Sequence, residues 1–199
     1  MSELTSNFKS IMGNTLPIII LVAVMAIVLR IYVLKKNKKD IRFSKEIPNL
    51  FFLIYILCLF QIVTSQDASG NHGINVSFFE ELTRYEVGTN LFYRNVVGNI
   101  VLFIPFSFFL AHIFKIKSRW IVYLFTLLIS LTIETTQLYI GRAFDVDDIL
   151  LNVIGGMIGY SIYSLVSRVI LRKLSIEKRN IIIAVLLVIV VLGIFIVIF

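Results

Sequence analysis

Between residues 95 and 152 the chain gathers side chains able to do chemistry: Asn95, Asn99, Glu134, Gln137, Arg142, Asp145, Asp147, Asp148 and Asn152. A guanidinium such as that of Arg142 suits a phosphate or carboxylate, which it can grip with two parallel N–H bonds. The amides of Asn99, Gln137 and Asn152 match amide groups or sugar hydroxyls, and the acids match a cation. Carboxylates in a partly desolvated layer can also work as general acid or base. Glu134, Asp145 and Asp148 further offer oxygen ligands of the kind Mg²⁺ takes, with help from substrate phosphates. No histidine shares this segment's polar layer, and no activated nucleophile pair is present. The single cysteine, Cys58, lies in an apolar run, which excludes an intrachain disulfide and a thiolate metal site. No cofactor is expected.

The elements that must position these groups follow from composition. Of 199 residues, 58% are hydrophobic and only 16% charged, and the mean hydropathy is +0.93. A soluble domain is less apolar and more charged, so the pattern is that of a membrane protein. Six apolar stretches are long enough to cross a bilayer as helices: 17–34, 48–64, 95–114, 120–140, 149–167 and 180–199. None alternates in polarity as a barrel strand would. The expected fold is an all-α polytopic helix bundle, a single membrane domain over 1–199, with 180–199 an accessory C-terminal helix. Residues 17–34 read as a retained helix, because no cleavage site follows them and a basic cluster does.

Charge then orients the bundle. Fourteen Lys and Arg residues fall in the segments after spans 1, 3 and 5, against four on the other side. By the positive-inside rule, those three segments are cytoplasmic and both termini lie outside. The same dispersion excludes nucleic acid as a partner, since no single basic surface forms.

In this topology the polar groups converge. At 1.5 Å rise per residue, Asn99, Gln137, Glu134 and Asn152 lie only about 5–9 Å below the outer surface. Arg142, Asp145, Asp147 and Asp148 occupy the short outer turn between spans 4 and 5. The inner halves of these helices are almost purely apolar. Helical phase puts Ser130, Glu134 and Gln137 on one stripe. If the helix of span 5 begins early enough to include Asp145, phase puts Asp145, Asp148, Asn152, Gly155, Gly156 and Gly159 on another, with Asp147 pointing away. The Gly155/Gly159 spacing allows a neighbouring backbone to approach closely. A purely structural alternative has the amides cross-linking helices, Glu134 paired with Arg142, and the aspartates forming a solvated turn. The outer segment 65–94 contains Ser77-Phe78-Phe79-Glu80, a capping box opening a short amphipathic helix. That helix either anchors the loop in the interface or covers the bundle as a lid.

Several of these blocks resemble a known family. Gly141-Arg142-Ala143-Phe144-Asp145-Val146-Asp147-Asp148, followed by Asn152 and Gly155-Gly156, is similar to the signature of the VanZ-like family. Asn95-Val-Val-Gly-Asn99 with Pro105, Glu134-Thr-Thr-Gln137 and Ile74–Phe79 add to the resemblance, which covers residues 74–160. Phe78 stands where the family usually has Pro, and Ser107 where Gly often follows the span-3 proline. The resemblance implies a multi-pass protein of the bacterial cytoplasmic membrane, associated with low-level resistance to teicoplanin and related glycopeptide or lipopeptide antibiotics. It carries site positions over to Asn95, Asn99, Glu134, Gln137, Arg142, Asp145, Asp148 and Asn152.

The expected function is a binding module, rather than an enzyme, facing the outer leaflet of the cell envelope. Its partners there are membrane lipids together with a lipid-linked peptidoglycan precursor or the antibiotic's head group. One alternative is an enzyme acting on a polyprenyl-phosphate or other envelope lipid. A transporter or flippase is the other, disfavoured because the inner halves offer no polar path.

Overall fold

The computed structural model describes residues 20–41, 43–64, 73–77, 79, 84–169 and 173–198. It is all-α apart from one pair of two-residue strands, and a helix stands at each of the six expected positions. Among the described residues, three helices are long and apolar enough to cross a membrane: Asn90–Ile113, Arg119–Tyr139 and Val146–Val169. The chain divides into two compact units, residues 1–65 with 173–199, and residues 66–172.

The first unit holds α1 (20–36), α2 (Phe43–Thr64) and α6 (Ile176–Ile198). Helix α1 ends where Lys38 takes a left-handed φ of 52°. There the Lys39 N–H returns to the Leu34 carbonyl at 2.9 Å and the Lys38 N–H to that of Lys35 at 3.0 Å. These two hydrogen bonds close the last turn and cap its carbonyls. Arg30, the one charged residue of the first expected span, grips Glu46 in the first turn of α2. Its Nε and Nη2 donate at 2.7 and 3.1 Å, a bidentate pair that offsets the cost of a cation on an apolar helix. Helix α2 packs on α6, and each buries an i, i+4 pair, Tyr55 with Leu59 and Ile183 with Leu187.

The second unit carries β1 (Ile74–Asn75), α3 (Asn90–Ile113), α4 (Arg119–Tyr139), β2 (Phe144–Asp145) and α5 (Val146–Val169). Helix α3 begins at Asn90, five residues before the apolar run expected from Asn95. The reason is a cap: the Thr89 hydroxyl accepts the Phe92 N–H at 3.2 Å, holding an otherwise orphaned donor. Residues Tyr93–Val97 of α3 form a π-helical turn, which no sequence signal announced.

Helix α5 packs chiefly on α3 and next on α4. Its glycines explain how. A Cβ on Gly155 would collide with the Ile100 carbonyl oxygen and lie 3.1 Å from that residue's Cα. One on Gly159 would meet Ile104 in the same way, with Cα again at 3.1 Å. The two backbones therefore run in contact one turn after another, as the glycine spacing predicts. Phe103, Phe106 and Phe109 from α3, Val122 and Ile133 from α4, and Leu151 from α5 fill the rest of this core.

Two parallel strands join the segment before α3 to the α4–α5 connection, with Ile74 opposite Phe144 and Asn75 opposite Asp145. The expected helix opening at Ser77 does not form there. The Ser77 N–H bonds the Asn75 side chain at 3.0 Å, and Phe79 has a left-handed φ of 67°, which no right-handed helix accommodates. The remainder of that expected helix, 80–83, lies outside the described residues.

Candidate functional site

The site is assembled around the turn between α4 and α5. Helix α4 stops at Gly141, whose φ of 88° suits the one residue type lacking a Cβ. The Gly141 N–H bonds the Leu138 carbonyl at 3.2 Å and the Arg142 N–H bonds that of Gln137 at 2.9 Å. Together these form a Schellman close that turns the chain sharply and sets Arg142, half-buried, at the rim. Arg142 is the only cationic residue between positions 120 and 167, a stretch holding Glu134, Asp145, Asp147 and Asp148.

Asp145 is the node of the arrangement. Its N–H is donated to Glu134 Oε2 at 2.9 Å. One of its carboxylate oxygens accepts the Asp147 N–H at 2.8 Å, capping the N-terminus of α5. The other accepts the Asn75 amide at 3.0 Å. The β1 strand, helix α4 and the start of α5 thus meet at one buried residue, Asp145, through its N–H and its carboxylate. The positive end of α5 favours anions at this place, which helps Asp145, Asp147 and Asp148 to sit together.

Asp147 extends the tie outward. It is 1% exposed, and its Oδ1 accepts the Phe79 N–H at 2.7 Å. Going inward, the Asn99 amide donates to Asp148 Oδ1 at 2.6 Å, and the Asn152 amide to the Ser130 hydroxyl at 2.9 Å. Deeper still, Ser107 and Thr126 share a hydrogen bond at 2.9 Å, both fully buried. A Cβ on Gly156 would sit 2.9 Å from each of their hydroxyl oxygens.

Of the residues expected to act together, Asn99 is bonded to Asp148 and Glu134 to the Asp145 N–H, while Asn152 bonds Ser130. Gln137 is buried on the same face of α4, and its carbonyl holds Arg142. Asn95 is not drawn in: it lies half-buried on the π-helical turn, and among the described residues its side chain makes no hydrogen bond.

Several expectations need correction. Asp147 does not point away from the site. Because α5 begins only at Val146, Asp145 serves as its cap and Asp147 faces back toward the outer segment. The aspartates do not form a solvated turn either, since Asp145 and Asp147 are 7% and 1% exposed. The part of these helices away from the α4–α5 turn is less apolar than expected, because Ser107 and Thr126 pair there. Helix-capping logic applied to the Asp-x-Asp-Asp run would have identified Asp147; nothing local in the sequence pairs Ser107 with Thr126. Among the described residues, no group of three His, Cys, Asp or Glu side chains is placed to share a metal ion. Glu134 accepts the Asp145 N–H, and the Asp145 oxygens accept the Asp147 N–H and the Asn75 amide. His72 lies outside the described residues, and His112 stands edge-on to Tyr163 at 6.2 Å, away from this cluster.

These features define an all-α protein of membrane character whose apolar helices carry a cluster of acids and amides tied to the segment 73–79. The chain belongs to the VanZ/LLP1 family, whose sequence model matches residues 47–171. Protein VanZ of Enterococcus faecium is 34% identical over 74 residues, which make up 37% of this chain and 46% of that protein. The alignment thus spans about half the length of the relative. No solved structure matches the chain.

Proposed function

We propose that this protein lowers susceptibility to teicoplanin and related glycopeptide or lipopeptide antibiotics by binding a polar head group at the outer-leaflet face of the bacterial cytoplasmic membrane. The head group belongs to a lipid-linked cell-wall precursor or to the antibiotic itself. The topology that goes with this reading has six spans and both termini outside. Arg142 contacts a phosphate or carboxylate of the ligand, while Asn99, Gln137 and Asn152 serve amides or hydroxyls.

One observation supports this reading above the others. Three segments converge on Asp145, and the short turn they brace carries the only cation of the region, Arg142. Acids whose oxygens hold backbone N–H groups are suited to fixing a binding residue in place. They are less suited to exchanging protons with a substrate, which favours binding over catalysis.

The test is antibiotic susceptibility in cells expressing wild type, Arg142→Ala, Glu134→Gln or Asp148→Asn at matched membrane levels. Wild type protects against teicoplanin and Arg142→Ala does not. Equal protection by all four would reduce the layer to a structural element. Turnover of a polyprenyl-phosphate lipid by the purified protein would replace binding with catalysis.

A further inference from the structure

The opposite end of the second unit carries a feature that the acid–amide layer does not use. Lys115, Lys117 and Arg119 stand within five residues at the α3–α4 turn, and no Asp or Glu occurs from residue 87 to 133 or from 149 to 176. Among the described residues none of the three forms an ion pair. Their turn is held in place. Lys115 takes a φ of 55°, the Ile116 N–H bonds the Ala111 carbonyl at 3.0 Å, and the Tyr160 hydroxyl donates to the Lys117 carbonyl at 2.6 Å. The cations are thus presented from a fixed backbone instead of a wandering loop.

Apolar surface adjoins them directly. The Arg119 guanidinium lies 5.3 Å from the centre of the Trp120 ring, and Tyr123 stands edge-on to that ring at 5.9 Å. Trp120, Leu124, Leu128 and Leu131 form an exposed stripe along α4, from 69% exposed at the indole to 38% at Leu131. On a helix apolar and long enough to cross a membrane, such a stripe faces acyl chains. Uncompensated cations at the foot of an acyl-facing stripe, with an indole between them, match a molecule carrying a phosphate on top of a hydrocarbon tail. A soluble phosphate would have no use for the stripe.

We infer that the α3–α4 turn is a binding site for an anionic phospholipid, with Lys115, Lys117 and Arg119 on the phosphate and Trp120 and Leu124 along its acyl chains. This surface is separate from the acid–amide layer and does not depend on its function.

Trp120 is the only tryptophan in the chain, so its fluorescence reports on this surface alone. Full-length protein is reconstituted in phosphatidylcholine bilayers containing brominated phosphatidylglycerol or, at the same mole fraction, brominated phosphatidylcholine. Brominated phosphatidylglycerol quenches Trp120 more strongly, corresponding to an association constant higher by up to about fivefold for each cation near the surface. High salt erases the difference in the wild type, and so does the triple variant Lys115→Gln/Lys117→Gln/Arg119→Gln. Equal quenching by the two lipids in the wild type at low salt would overturn the inference. A preference that survives in the triple variant would overturn it as well. The wild-type comparison stands by itself should the triple variant fail to fold.

Discussion

Glu134 and Asp145 are joined across the α4–α5 turn: the Glu134 carboxylate accepts the Asp145 N–H at 2.9 Å, with both residues buried. The contact places a buried acid of one helix on the cap residue of the next. Between them lie the last turn of α4, Gly141, which reverses the chain, and Arg142. The turn is therefore braced at both ends, so that loss of the brace and loss of the charge can be separated by mutation.

Glu134→Ala leaves the Asp145 N–H without its buried acceptor and costs about 1–3 kcal/mol of stability. Glu134→Gln keeps an oxygen in place and costs less. Thermal unfolding of the detergent-solubilised protein should rank wild type above Gln above Ala. Equal melting of the two variants would show that the bond contributes nothing.

Gly155→Ala and Gly159→Ala each drive a methyl group into the α3 backbone, at Ile100 and Ile104. Each should lower stability by about 1–3 kcal/mol, the usual range for overpacking a close contact. Gly73→Ala is the control. Its new methyl group meets nothing within 4 Å among the described residues, and the change should stay within about 0.5 kcal/mol. A Gly159→Ala protein as stable as the control would contradict the observed helix approach.

Asp147 holds the outer segment through the Phe79 N–H. Asp147→Ala releases that segment, and chymotrypsin should cleave after the exposed Phe79 several-fold faster than in wild type. Asp147→Asn retains an acceptor oxygen and should stay near the wild-type rate. Identical cleavage of all three proteins would mean that the bond does not restrain the segment.

The proposed orientation is open to cysteine labelling, since Cys58 is the only cysteine to remove. On a Cys58→Ala background, Val87→Cys lies on the outer segment and is fully accessible, Val87 being 82% exposed. It should react with an impermeant maleimide in intact cells. Lys117→Cys should react only after permeabilisation. The reverse pattern would invert the topology.

Much of the architecture was legible because it depends on terms local to the chain. Apolar run length determines which helices can cross a bilayer, so α3, α4 and α5 were expected within a few residues of where they stand. Small residues at i, i+4 determine where backbones can touch, and Gly155 and Gly159 meet α3 as their spacing implies. The family was legible too, because its polar blocks lie in order along those helices. Helical phase also placed Glu134 with Gln137, and Asp148 with Asn152, on common faces, and Glu134, Gln137 and Asn152 are buried.

The tertiary structure alone decided what those polar groups do to one another. Asp145 is a helix cap and a three-way junction because Asn75, 70 residues away, arrives beside it on a parallel strand. No periodicity within one segment encodes that meeting. Asp147 turned toward the Phe79 segment because the helix begins at Val146 with Asp145 as its cap, a matter set by the cap and the strand pair together. The bond between Ser107 and Thr126 likewise exists only because Gly156 lets three helices crowd together at that level. Burial and helical form follow from each segment's own hydropathy and spacing. The pairing of buried polar groups follows from which segments meet, and a buried donor or acceptor must take its partner from whatever the fold brings within reach.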